Sequence, residues 1–370
     1  MLFEPVRIKN LELRNRFVRS ATADAGAEKT GHISERQIDL FSELAGGGVG
    51  LIITGIMYVH PGGRISFFHG SVAEDDTIPG LKKLAASVQK RGAKIAVQLF
   101  HGGREASRFL NSMNKKGIGP SVIPDDPYFT GEYSSMTEPE VWDLVHAFGD
   151  AARRAEEAGF DAVQVHAAHA YLLSQFLSPY TNRRSDRWGG TLQDRLRFHR
   201  EVYLDIRGKV GKHFPVLAKL GVQDGFPGGL EFREGLEAAR LLARWGYDAL
   251  EISQGLRGEL YEGTEFRTQI NRIDREAYFR PWCKEIKQQV NVPVMMVGGF
   301  RSFELMEEVI QKNEADFISL CRPLIREPGI IKEWEQGSRR KSTCVSCNKC
   351  LEGIRKGELL HCVCKKDECQ

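Results

Sequence analysis

Within the run DAVQVHAAHAY stand His166, His169 and Tyr171, two imidazoles and a phenol inside six residues. Neutral imidazole N–H groups can polarise a carbonyl or nitro oxygen, and a phenol can give up a proton, so the trio suits acid–base work on a polar substrate. Two histidines could also begin a zinc site, but no third ligand stands at a neighbouring strand end. Taken singly, either histidine could be a satisfied core residue. The residues before them, Asp161 to His166, read as a buried strand, and a loop dense in Asn, Arg, Asp and Gly follows as far as Gly190.

Other polar residues sit where apolar strands end. RFVRSATAD contains Ser20, Ala21 and Thr22, small enough for backbone to lie against a planar ligand or simply to pack closely in a core. In VQLFHGGR, Gln98 shares a strand face with Ala96 and should point inward. A buried amide must find partners, and its donor-plus-acceptor edge suits a core neighbour or the imide-like edge of a flavin or pyrimidine. Lys219, within PVLAKL, is costly unless it meets negative charge. An anionic reduced flavin ring, a phosphate, a substrate carboxylate or a structural ion pair would each serve. VPVMMVGGF ends in Gly298-Gly299 and DFISLCRPLI carries Cys321-Arg322. Glycine N–H groups beside a guanidinium make a phosphate site of the kind barrels build after their last two strands.

These residues need elements to hold them. Strand windows fall at Phe17–Ser20, Gly50–Thr54, Ile95–Phe100, Ala162–His166, Val216–Leu220, Ala249–Ile252, Val294–Val297 and Phe317–Leu320. Amphipathic stretches alternate with them: Ser34–Ala45 with Ser34 as cap, Pro79–Lys90, Thr137–Ala158 with a T-x-x-E capping box, and Leu192–Val210. Phe232–Trp245, Arg275–Val290, Phe303–Gln311 and Gly329–Glu335 complete the set. Eight such repeats predict an α/β fold, a (β/α)8 TIM barrel, with its site at the strands' C-terminal ends. A doubly wound sheet is the competitor, but no G-x-G-x-x-G opens a helix after the first strand. The Gly-, Pro- and Ser-rich segment Gly102–Met136 is expected to be a lid or pocket wall.

A net charge of +3 gives no reason to invoke nucleic acid, and no apolar run approaches a membrane span. The N-terminus lacks a signal-peptide core, so a cytoplasmic protein acting on a small molecule, with no membrane partner and as a homo-oligomer, is the expectation. Composition shifts after about Gly337, predicting a barrel over 1–337 and a Cys-rich C-terminal extension over 338–370. Cys344, Cys347, Cys350, Cys362, Cys364 and Cys369 all fall there, a clustering that reads as metal binding rather than disulfides.

Taken together the motifs resemble the old yellow enzyme family of NADH:flavin oxidoreductases. The resemblance spans nearly the whole chain, through LFEPVRIKNLELRNRF, GLIITG, QLFHGGR, HAAHAYLLSQFLSPYTNRRSDRWGG and SLCRPLIREP. It implies an FMN touched by Ala21, Thr22, Ile56 and Gln98, with Lys219 near its N1/O2 edge and Gly299, Cys321 and Arg322 on its phosphate. It further implies that His166 and His169 bind the substrate's activating oxygen and that Tyr171 donates a proton. NAD(P)H would reduce the flavin, whose N5 would then pass hydride to an activated alkene of enone or enoate type, with ping-pong kinetics. Lysine replaces the family's usual arginine at Lys219, and Ala23-Asp24-Ala25 stands where many relatives place a tyrosine.

The spacing C-x2-C-x2-C-x11-C from Cys344 to Cys362 resembles the four-iron cluster motif of the trimethylamine dehydrogenase and dienoyl-CoA reductase branch. In those relatives a further domain follows; this sequence ends at Gln370. A [4Fe-4S] cluster, a structural zinc or metal-free reduced thiols are the three expectations for the tail. An ene-reductase is the leading expectation. An amine-oxidising or dienoyl-CoA-type enzyme using the tail cluster, or a flavin-binding partner subunit without turnover, are the alternatives.

Overall fold

A computed structural model of the chain describes residues 1–259 and 263–364. Cys369 and the lysines at 365 and 366 therefore lie outside the described residues. The parallel strands are β1 (Phe17–Arg19), β2 (Leu51–Tyr58), β3 (Lys94–Phe100), β4 (Ala162–Ala167), β5 (Val216–Gly221), β6 (Ala249–Ser253), β7 (Val294–Met296) and β8 (Phe317–Leu320). Each pairs with the next, and β8 returns to pair with β1, closing the barrel.

Eight helices alternate with the strands: α1 (Glu35–Gly46), α2 (Ile78–Gln89), α3 (Glu138–Glu157), α4 (Arg197–Val210), α5 (Phe232–Trp245), α6 (Arg280–Lys287), α7 (Phe303–Gln311) and α8 (Ile330–Glu335). The start signals act as the sequence predicts. Ser34 accepts from the N–H of Gln37, and Thr137 with Glu140 forms a reciprocal capping box at α3. Gly159 ends the α3 connection with φ +81°, a left-handed conformation that glycine adopts without strain.

Two layers of core follow from strand alternation. Outward-facing residues such as Val163, Val165, Val216 and Ile252 pack under the helices, while Leu51, Ile53, Ala96, Leu217 and Phe317 fill the barrel's lower interior. An antiparallel hairpin, Val6–Ile8 with Leu11–Leu13, plugs that end through Ile8 and Leu13. The alternating pattern of this hairpin is too short to stand out in the sequence.

Several boundaries differ from expectation. β2 runs on to Tyr58, past an irregularity between Ile53 and Ile56 where Gly55 lies against Asp24 and Thr22. Such a bulge re-aims the following side chains, here Ile56. The predicted helix Leu192–Val210 is two pieces, a turn over Leu192–Arg195 capped by Thr191 and then α4, which part at Leu196. α6 begins at Arg280 rather than Arg275, with Pro281 in the first turn, where its missing N–H is harmless.

The segment Gly102–Met136 is pinned beside the barrel mouth by Gln175, which accepts from the Arg104 N–H and donates to the Gly102 carbonyl, and by Tyr180, whose hydroxyl donates to Asp126 Oδ1 at 2.8 Å. Within the segment Arg104 and Asp126 form a buried ion pair. None of its residues lines the cavity described below, so the expected lid or wall comes from elsewhere.

Candidate cofactor and active site

At the strands' C-terminal ends lies a cavity of about 230 Å³. Ser20, Ala21 and Thr22 from the end of β1 line it, with Ile56 of β2, Gln98 of β3, Lys219 of β5 and the trio His166, His169 and Tyr171. Gly299, Cys321 and Arg322 close one side. Gly298 alone of the expected residues does not line it. A larger surface groove of about 710 Å³ runs beside Arg267–Arg280 but holds none of the histidines, so the smaller cavity is where the chemistry converges.

Beneath the cavity a chain of polar side chains crosses the barrel. Gln98 and Gln164 are in register on β3 and β4, as are Lys219 and Glu251 on β5 and β6. Gln98 Nε2 donates to Gln164 Oε1 at 2.6 Å, and Gln164 Nε2 donates to Glu251 Oε2 at 3.0 Å. That carboxylate lies 3.4 Å from Lys219 Nζ, which donates to Ser20 Oγ at 2.9 Å. Lys219 thus has a structural ion-pair partner, one of the options its sequence context left open. Gln164 and Glu251 were missed because single polar residues inside apolar strands carry no spacing signal. Only the need to compensate a buried lysine pointed to an acid.

The turn after β4 is strained in order to present the trio. His169 and Ala170 are consecutive left-handed residues, with φ +60° and +65°. Such conformations persist where surroundings over-determine them. Here the N–H groups of His169 and Ala170 donate to the carbonyls of Gln254 and Gly255, and Gln175 Nε2 donates to the Ala170 carbonyl at 2.6 Å. The result brings the His166 and His169 rings to 5.0 Å between centroids, with Tyr171 5.1 Å from His166.

Burial, aided by the neighbouring imidazole and Lys219, holds His166 well below the ordinary histidine range. His169 is held down likewise by burial, with Lys219 and Arg257 adding to it. Both rings are therefore neutral near pH 7. Burial also raises the Tyr171 phenol, keeping its proton on. His166 Nδ1 is buried without a protein partner, whereas His169 Nε2 is 2.7 Å from Ser253 Oγ.

The loop after β6 supplies a wall the sequence did not reveal. Arg257 lies over the Tyr171 ring at 5.6 Å and pairs with Glu265 at 2.7 Å, and Glu265 lies 3.9 Å from His169 Nδ1. Tyr278 stacks on Gly299, whose φ of +79° and lack of a Cβ permit the approach; a Cβ there would meet the ring at 2.9 Å. Arg322 Nη1 donates to the Arg267 carbonyl at 2.6 Å and to Asn348 Oδ1 at 2.7 Å, which leaves its other donors for an anion.

The tail folds onto this mouth. Ser342 exchanges backbone and side-chain bonds with Arg301, and the Leu360 N–H donates to the Asp24 carbonyl at 2.8 Å. Leu360, Asn348 and Cys350 line the cavity, as does Ala23, while Asp24 turns away to Gln37 and the Gly26 N–H. Part of the cavity wall is thus supplied by the tail. Cys344, Cys347, Cys350 and Cys362 all line one small neighbouring cavity of about 20 Å³, with Arg322 and Ile325. Burial raises the Cys344 thiol and pushes Cys350 up to about 12. Among the described residues, no three His, Cys, Asp or Glu side chains converge at ligating geometry.

These features suit a flavin nucleotide: small residues at β1, a donor–acceptor edge at Gln98, a cation at Lys219, and glycine backbone with a guanidinium at the other end. Residues 1–341 match the NADH:flavin oxidoreductase / NADH oxidase family. The chain belongs to this family. The family is one of flavin-dependent oxidoreductases. The NADH oxidase of Thermoanaerobacter brockii is 34% identical over 95% of this chain and 54% of its own length. The NADPH dehydrogenase of Clostridium acetobutylicum is 32% identical over 89% of the chain and 93% of its length. Among solved structures, a 2-naphthoyl-CoA reductase superposes with a TM-score of 0.90 at 26% identity, covering 98% of this chain and 56% of that one. The chain thus spans about half the length of the NADH oxidase and the naphthoyl-CoA reductase. Among the described residues no helix is long and apolar enough to cross a membrane.

Proposed function

We propose that this family member is an NAD(P)H-dependent ene-reductase that reduces an alkene activated by a carbonyl or similar group. The observation that carries the reading is the convergence of His166, His169 and Tyr171 on the cavity whose floor is Gln98 and Lys219. Bound FMN would supply the hydride chemistry, taking two electrons from NAD(P)H and returning them to substrate. Gln98, Lys219 and Ser20 would hold its polar ring edge, and Gly299 and Arg322 its phosphate. Neutral His166 and His169 would donate to the substrate's activating oxygen, withdrawing charge from the double bond without adding a buried cation. Tyr171, protonated across the working range, would give its proton to the carbon that does not receive hydride. The test is anaerobic titration of purified, FMN-loaded protein. NAD(P)H should bleach the flavin and an enone should restore it.

A second reading rests on the four thiols around the small cavity beside Arg322. The donor set suits a [4Fe-4S] cluster or zinc, and binding would deprotonate the thiols and draw them together. Within the division into a barrel over 1–337 and an extension over 338–370, such a cluster would make the tail an electron exit. Iron, sulfide and zinc analysis of anaerobically purified protein distinguishes cluster, zinc and bare thiols. Bleaching of the flavin by a secondary or tertiary amine would favour an amine oxidation over ene-reduction.

A further inference from the structure

Glu251 lies under the cavity rather than in it. It is completely buried on β6, directly in register with Lys219, and is absent from the cavity lining. Its Oε2 accepts from Gln164 and faces Lys219, while Oε1 is buried without a protein partner. A fully buried carboxylate with one unpaired oxygen is expensive, and a core built only for stability would do better with an apolar pair.

We infer that Glu251 is a positioning residue that sets both the hydrogen-bond polarity and the charge of the floor beneath the bound cofactor, an inference that rests on FMN occupying this cavity. A carboxylate accepts and never donates. Gln164 must therefore turn its NH2 toward Glu251 and its carbonyl toward Gln98. Gln98 must in turn donate to Gln164, which leaves its own carbonyl and one N–H for a ligand edge. The polarity of two side chains on adjacent strands, Gln164 on β4 and Gln98 on β3, is thus fixed by Glu251 on β6. The charge consequence is separate. Two-electron reduction places negative charge on the cofactor beside Lys219, whose attraction is already shared with Glu251. Glu251 therefore holds the potential of bound flavin down and makes the reduced form a stronger hydride donor.

The test is the reduction potential of bound FMN, measured by anaerobic equilibration with a reference dye, for the FMN-loaded wild type, Glu251→Gln and Glu251→Asp. Glu251→Gln should shift the equilibrium toward reduced flavin at least tenfold, ~30 mV for two electrons. Glu251→Asp, which keeps the charge, should stay within about threefold of wild type, since threefold is ~15 mV on the same scale. A Glu251→Gln potential equal to wild type, or equal shifts in both variants, would overturn the inference. If Glu251→Gln does not fold, the pair Lys219→Met and Lys219→Met/Glu251→Gln repeats the comparison without a lone buried cation. The double variant should have the higher potential, and equality overturns the proposal. Wild-type protein that binds no FMN would instead remove the functional reading on which the inference stands.

Discussion

The imidazole of His166 meets that of His169 edge-on, at 5.0 Å between ring centroids and 89° between planes. Two protonated rings could not sit so close in a buried site, and the burial that holds both below the ordinary range keeps them neutral. His166→Ala should bind FMN normally and be reduced by NAD(P)H at close to the wild-type rate. Its reoxidation by an enone should slow by roughly 100-fold, the usual effect of losing an oxyanion donor. Stopped-flow measurement of the two half-reactions separates these, and an unchanged reoxidation rate would remove His166 from the mechanism. Because both rings stay neutral and keep their single N–H across this range, wild-type reoxidation should not fall between pH 6 and 8.

Tyr171 packs against the edge of Phe100 at 4.5 Å and beneath the Arg257 guanidinium. Tyr171→Phe keeps that packing and removes only the hydroxyl. Reoxidation by an enone should drop by about 100-fold, in the range of a lost general acid, while flavin reduction is untouched. An acceptor that takes electrons without needing a proton on carbon, such as a quinone, should reoxidise the variant at the wild-type rate. Equal slowing with both acceptors would contradict the proton-donor role.

Gly299 adopts φ +79° with the Tyr278 ring directly above it. Gly299→Ala would add left-handed strain of about 1–2 kcal/mol and force the ring aside. FMN affinity should fall by about tenfold or more, ~1.4 kcal/mol, as read by flavin fluorescence on dilution. Unchanged affinity would place the phosphate elsewhere.

Buried imidazoles also make the fold acid-sensitive. His199 is fully buried with neither ring nitrogen partnered, and burial drives its pKa down to about 3; His101 is driven to about 3 and His69 to about 4. In the unfolded chain these groups titrate near 6.5. Between the two values the unfolded chain binds protons that the native one refuses, so this stability is present above about pH 6.5 and is lost as pH falls. Each such group should contribute a slope of roughly 1 kcal/mol per pH unit in that window. His199→Phe should flatten urea-derived stability between pH 6.5 and 5, and an unaltered slope would count against this account.

The barrel was legible because its strands are continuous apolar runs separated by capped amphipathic helices, patterns that depend on local spacing. The same holds for His166, His169, Tyr171, Gln98 and Lys219, which are polar residues at the ends of such runs. Glu251 and Gln164 were not, since what makes them matter is register across neighbouring strands. Arg257, Glu265 and Tyr278 were hidden for a different reason: they lie in a long irregular loop whose path is decided by tertiary contacts. The expected role of Gly102–Met136 as a wall went wrong because length and composition identify a long loop without saying where it packs. The bonds that hold it aside run to Gln175 and Tyr180, residues well outside the segment in sequence.

The most direct test is to load the purified chain with FMN, reduce it anaerobically with NAD(P)H, and add an enone such as 2-cyclohexenone while following flavin absorbance. We expect one bound FMN per chain, bleaching by the nicotinamide, and return of the oxidised spectrum with one equivalent of saturated ketone. Protein that takes up no FMN, or reduced flavin that the enone leaves bleached, would contradict the account.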